Sequence, residues 1–309
     1  ALMQNGWRII AACRTAESVR ALDELFEELD PGAVHVLLPL QRANVISIAD
    51  SLGVDSEDFL REVDQHRLQS LAATPLTLSL LFKIFRADGR FPDSRGRVFQ
   101  RAIALMTAED AVDSYTPTPH EEAFPVRQRA AVERLAAFST FSEVGSFALF
   151  NVGEPSAGSQ TERLLGTERV EGTRLEVTNH DLQSALRTSL FATRGFNERQ
   201  FSHRQLKDFL AANHIHRARL SHSELRSILT VAETMAIPPQ MADVATWLVA
   251  QKPHEYRWLL DADPLTLVRN RITDDLPHLA RDMVARLLER ADEVDRALAW
   301  RDELSGLRY

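Results

Sequence analysis

The first forty residues read as a strand, a helix and a strand, and nothing in the chain completes the sheet that such a unit needs. Trp7 to Cys13 is a short apolar run without helical period, as in a buried strand. Val19, Leu22, Leu25, Phe26 and Leu29 then share one helical face, and Asp30-Pro31-Gly32 stops that helix. Val34 to Leu38 is a second strand candidate. Two strands joined by a helix over about thirty residues pair in parallel, and parallel sheets are covered on both faces. The neighbouring strands are expected in sequence before Ala1. Position 1 is not Met, which suits an internal segment.

After Leu40 the pattern turns helical. Val45 to Leu52 is one short helix, and Asp55-Ser56-Glu57 opens another with Phe59, Leu60 and Val63 inward. Leu68 to Thr74 precedes Pro75, and Leu76 to Phe85 carries the apolar pattern on. Asp88-Gly89 and Phe91-Pro92 make a loop, followed by a helix on Val98, Ala102, Ile103 and Met106. Thr116-Pro117-Thr118-Pro119 is the clearest linker, and a new domain begins near Phe124. Arg127 to Phe141 is a helix with Val132, Leu135, Ala136 and Phe138 on its core side, and Gly153 to Gly166 reads as loop. Asp181 to Leu190 is a further helix. Phe191 to Arg194 and Arg199 to Ser202 flank a Gly195 turn as a hairpin, and Arg204 to Arg219 is a strongly amphipathic helix. Helices followed by a small hairpin make a winged-helix pattern. Beyond Ser221 come short helices, Leu225 to Met235, Met241 to Val249, Tyr256 to Leu260, Pro264 to Val268 and Leu276 to Ala291, in the manner of irregular helical repeats. The expected fold is mostly α, with a remnant of a parallel α/β sheet at its start.

Composition narrows the class. No apolar run approaches the ~18–20 residues of a membrane span, and no signal peptide opens the chain. Cys13 is the only cysteine, so no internal disulfide forms and a cytoplasmic location is expected. A net charge of −8 argues against general nucleic-acid binding. Asp181 to Arg226 is locally basic, with Arg187, Arg194, Arg199, Arg204, Lys207, Arg217, Arg219 and Arg226 against four acids; a solvated face is the simpler account.

Several catalytic devices are missing from the sequence. None of the three lysines, Lys83, Lys207 and Lys252, follows a glycine, so there is no Gly-rich phosphate cradle ending in Lys. Neither strand ends in paired acids for Mg²⁺. Gly-x-Ser-x-Gly and His-Glu-x-x-His are absent. His214 and His216, two apart on a helix, face different ways, and Cys13 sits inside a strand as an inert side chain. Three features remain. Arg14 stands at the carboxyl end of a parallel strand, where α/β sheets bind ligands, although a lone Arg is more often surface charge. Pro75 interrupts an apolar helical stretch, which by itself marks only a helix start or kink. His203 stands where a strand becomes a helix, an ordinary place for a structural histidine.

Taken in order, these motifs resemble the later part of a NACHT-type STAND NTPase, a family of signalling switches. Arg14 matches the family's sensor arginine at a strand end, and Leu38-Pro39-Leu40 matches its next strand exit. Pro75 in Ala73-Thr74-Pro75-Leu76 matches a proline that packs on adenine. Phe201, His203, Phe209, Ala211 and Ala212 match the Phe-x-His and aromatic-Ala-Ala motif ending the winged helix. Lys207-Asp208 stands where the family usually has Gln-Glu. The resemblance covers roughly residues 1–220 and implies four parts: the end of a nucleotide-binding α/β domain (1–40), a helical domain (41–115), a winged-helix domain (120–220) and a helical-repeat-like sensor region (221–309).

It further implies a parent ATPase whose phosphate loop, magnesium-binding acids and effector domain lie upstream. Arg14, Pro75 and His203 would then face ATP or ADP with Mg²⁺ in that parent, the chain alone binding no nucleotide tightly and hydrolysing none. Such switches rest closed with ADP and form homo-oligomers with ATP once an activating ligand reaches the C-terminal region, many of them in bacterial antiviral defence. Two other classes fit the residues: a helical protein-interaction scaffold without nucleotide, and a winged-helix nucleic-acid binder.

Overall fold

A computed structural model describes residues 38–108, 124–142, 144–149, 160–170, 173–194 and 197–270, together with Met283, Ala285 and Leu287. The chain divides into two compact units, Ala1–Gln41 and Arg42–Tyr309. In the first only Leu38 to Gln41 are described, and they have no regular structure. The expected strand–helix–strand, with Cys13 and Arg14, lies outside the described residues, as do the Thr116–Pro119 linker and most of the helix expected over 276–291.

The second unit is mostly helical, with twelve α-helices and five short strands among the described residues. Its first part is a stack of five helices: α1 (Arg42–Ser51), α2 (Ser56–Gln65), α3 (Gln69–Ala72), α4 (Pro75–Asp88) and α5 (Arg95–Ala108). Asp55 caps α2 by accepting from the Asp58 N–H, as the sequence signal anticipates. Gly89, at φ +69°, closes α4 in the left-handed conformation that a Cβ would penalise. Phe59 is fully buried and gathers Phe82, Phe85 and Phe91 at ring distances of 4.4, 5.4 and 5.7 Å. Phe91 thus belongs to the core although it follows a loop, and its N–H is satisfied by Glu62 Oε2 at 3.0 Å.

The second part is built on α6 (Phe124–Phe141), β1 (Phe147–Ala148), the hairpin β2 (Gly166–Val170) and β3 (Thr173–Val177), α7 (Asn179–Leu186), β4 (Phe191–Thr193), β5 (Glu198–Phe201) and α8 (Arg204–Ala218). The antiparallel order β1-β5-β4 places Phe191 opposite Phe201 and Phe147 opposite Arg199. The hairpin expected between 191 and 202 is present. The hairpin β2–β3 goes beyond the sequence pattern, which predicts loop from Gly153 to Gly166 and no strand between Gly166 and Asp181. Its strands carry many charges, so few apolar residues mark them, yet Val170, Leu175 and Val177 are buried.

Helix α8 corrects a second expectation. It is no one-faced amphipathic helix: Leu206, Asp208, Phe209, Leu210, Ala211, Ala212, Asn213 and Ile215 are all buried. The reason is position, since α6 packs on one side and the later helix α10 (Ala242–Gln251) on the other. Before α10 comes α9 (His222–Leu229), and after it α11 (Arg257–Ala262) and α12 (Pro264–Arg269). The helix expected from Leu225 to Met235 ends at Leu229, where Thr230 turns extended. A Ser221–Glu224 capping box sets the start of α9. No helix among the described residues is long and apolar enough to cross a membrane.

Candidate functional site

Pro75 occupies the first turn of α4, where its missing N–H costs no hydrogen bond and its fixed φ suits the helix. Thr74 before it is extended (ψ 127°), the conformation favoured before proline. The break between α3 and α4 is held from inside: buried Thr77 donates its hydroxyl to the Leu71 carbonyl, while the Pro75 ring stays exposed. The same helix presents Lys83 eight residues on, about 12 Å further along the axis.

His203 is the N-cap residue of α8, with φ −144° and ψ 119°, and its side chain makes no capping bond. The first N–H groups of α8 therefore keep their positive ends without a side-chain acceptor from the cap. The strand end is fixed from both sides. Ser202 N–H donates to Leu190 O at 2.8 Å, and Ser189 Oγ donates to Met106 O at 2.9 Å, which ties this junction to α5. The imidazole is half-buried. Burial holds its pKa below the usual value, a hydrogen bond with the Ser202 main chain opposes this, and the nearby Lys83 ammonium lowers it further. Burial and the field of Lys83 from α4 thus both favour the neutral imidazole of His203. A polarised helix start, a neutral imidazole and a lysine can together donate to an anionic group.

Asp208, one turn into α8, is 1% exposed. Its pKa is raised to about 6 by burial, against the pull of Lys207. Arg204 Nε donates to Asp208 Oδ2 at 3.2 Å and its Nη2 lies 3.8 Å from Asp243 Oδ2 on α10. Lys207 Nζ lies 3.9 Å from Asp208 Oδ1 on the same helix, and Arg204 connects this pair to α10.

A second polar cluster lies at the other end of α8. Glu133 of α6 is fully buried, accepts from Arg129 Nε at 2.9 Å and pairs with Arg217. Glu168 of β2 accepts from Arg134 Nε at 2.9 Å and from Arg217 Nη2 at 3.1 Å. Burial pushes the Glu133 carboxyl upward while Arg217 and Arg129 hold it down in part. His214 stands 4.0 Å from Glu168, and burial lowers its pKa to about 4. His216 turns instead to the Tyr256 hydroxyl at 3.2 Å, so the two histidines have different partners.

Of the site residues anticipated from the sequence, Arg14 lies outside the described residues. Pro75 begins the helix that carries Lys83, whose charge is felt at His203; no contact joins Pro75 to His203 among the described residues. Lysine's rarity in this chain was the one available signal for Lys83. The Glu133–Arg217–Glu168 network had none, because its members come from segments more than thirty residues apart. The local basic excess is partly internal, since Arg204 and Arg217 are held in ion pairs. Among the described residues no group of His, Cys, Asp and Glu is arranged to hold a metal ion. No protein-family model and no curated protein matches this chain.

Proposed function

We propose that the chain is the lid and latch of a nucleotide-switched signalling NTPase of the NACHT type. The observation that carries this reading is the placement of His203, free of any capping duty, at the start of α8 and within electrostatic range of Lys83 on the helix that Pro75 begins. Pro75 and His203 belong to two of the motifs on which the family resemblance rests, while Lys83 belongs to none of them. The order helix, strand, helix, hairpin, helix, with the β2–β3 hairpin inserted after the first strand, and the sheet order β1-β5-β4 also support a winged-helix domain over 120–220.

On this reading the diphosphate of ADP accepts hydrogen bonds from the His203 imidazole and the first N–H groups of α8, with Lys83 adding charge, while Pro75 meets the base and Arg14 the terminal phosphate. The phosphate loop and the acids for Mg²⁺ belong to an upstream segment of the parent, as does the effector. The closed state holds ADP; exchange for ATP frees the latch and permits homo-oligomers in the cytoplasm.

The test is to purify the full-length protein without added nucleotide, denature it and chromatograph the supernatant. About one ADP per chain is expected. A nucleotide-free protein that also fails to bind ADP in solution would overturn the reading in favour of a helical interaction scaffold.

A further inference from the structure

The chain carries an excess of negative charge, yet one open groove of about 1640 Å³ runs the other way. Its inner wall is the cluster of Arg129, Arg134 and Arg217 set against Glu133 and Glu168, three cations to two acids. Arg163, Arg219 and Lys252 stand at its rim, all exposed, with Glu255 the single acid among them. None of those three rim cations has an ion-pair partner among the described residues. The groove therefore holds three more basic than acidic side chains in a chain of net charge −8.

Its floor is also unusual. Phe138 and Phe141, one helical turn apart on α6, both line it, Phe138 half-buried and Phe141 36% exposed. Cations without an ion-pair partner among the described residues, beside the accessible ring of Phe141, suit a ligand that alternates phosphates with flat bases, because phosphates need only charge and every base has a face to stack. A duplex keeps its bases paired and cannot lay one on Phe141. An acidic peptide would use the cations and leave the rings without a flat partner.

We propose that this groove binds single-stranded nucleic acid, its backbone tracking Arg163, Arg219 and Lys252 and a base stacking on Phe141. The inference is independent of the nucleotide-switch reading, since the groove lies at the far end of α8 from His203 and shares no residue with it.

The probe is a fluorescein-labelled oligo(dT) of about twelve nucleotides, titrated with the protein by fluorescence anisotropy at several salt concentrations. Binding should weaken steeply with salt, as release of counterions requires. Arg219→Glu combined with Lys252→Glu should weaken it more than about tenfold and flatten the salt dependence, and Phe141→Ala should weaken it about tenfold with little change in salt dependence. These side chains are exposed, so circular dichroism and melting should match the wild type. Absence of salt-dependent binding would overturn the proposal. So would tighter binding of a duplex of the same length, or of poly-glutamate, which would assign the groove to duplex DNA or to an acidic protein partner.

Discussion

At the scale of single residues the buried charges decide how stability follows pH. Asp208 titrates near 6 in the fold against an ordinary 3.8, so the folded chain holds a proton that the unfolded chain has lost. Its contribution is neutral below pH ~4 and destabilising above pH ~6, by up to about 3 kcal/mol. His214 acts with the opposite sign. Its pKa falls from 6.5 to about 4, so folding loses stability as pH drops through that interval. The two effects overlap, and a difference between variants separates them. Asp208→Asn keeps an acceptor for Arg204 and should be more stable than wild type at pH 7, with the gap closing below pH ~4. Urea denaturation across this range measures it. A gap that persists at pH 4 would mean that packing, and not ionisation, sets the difference.

At the scale of elements, Pro75 offers a separation of roles. Alanine at the first turn of α4 can keep the helix, so Pro75→Ala should change stability by no more than about 1 kcal/mol. The melting temperature should move by about 2–4 °C at most. If the ring meets a base, nucleotide affinity of the full-length protein should fall about tenfold in the same variant, as isothermal titration would show; a matched loss of stability and affinity would make Pro75 purely structural. Much at this scale was legible in the sequence. The helices from α1 to α7 follow from apolar spacing and from the Asp55 and Gly89 end signals, and the 191–201 hairpin follows from its turn. What escaped did so for physical reasons. β2 and β3 are charged strands whose pairing stabilises them more than their own composition does. Burial of α8 on nearly all sides depends on α10, which arrives some thirty residues later. Pro75 and His203 were legible as residues, but the influence of Lys83 on the His203 imidazole required the tertiary structure.

At the scale of the whole molecule, the second unit is fastened by aromatic contacts among α5, α8 and α10. Phe99 of α5, Phe209 of α8 and Trp247 of α10 stand 5.6, 4.8 and 5.0 Å apart, with the Arg95 guanidinium 4.7 Å from the Trp247 ring. Phe209→Ala leaves a cavity where all three meet and should cost about 3–5 kcal/mol, read as a lower urea midpoint. Movement of a latch domain would have to break or carry these contacts, which connects the fold to the proposed switch. The most direct measurement is the ADP dissociation rate of the full-length protein, wild type against His203→Ala, with melting temperatures alongside. A hydrogen bond to a charged phosphate is worth about 1.5–3 kcal/mol, so loss of the imidazole should speed release by roughly 10–150-fold with the melting temperature of the nucleotide-free protein nearly unchanged. Unchanged ADP release with a lower melting temperature would contradict the account and leave His203 as a support for the hairpin-to-helix junction.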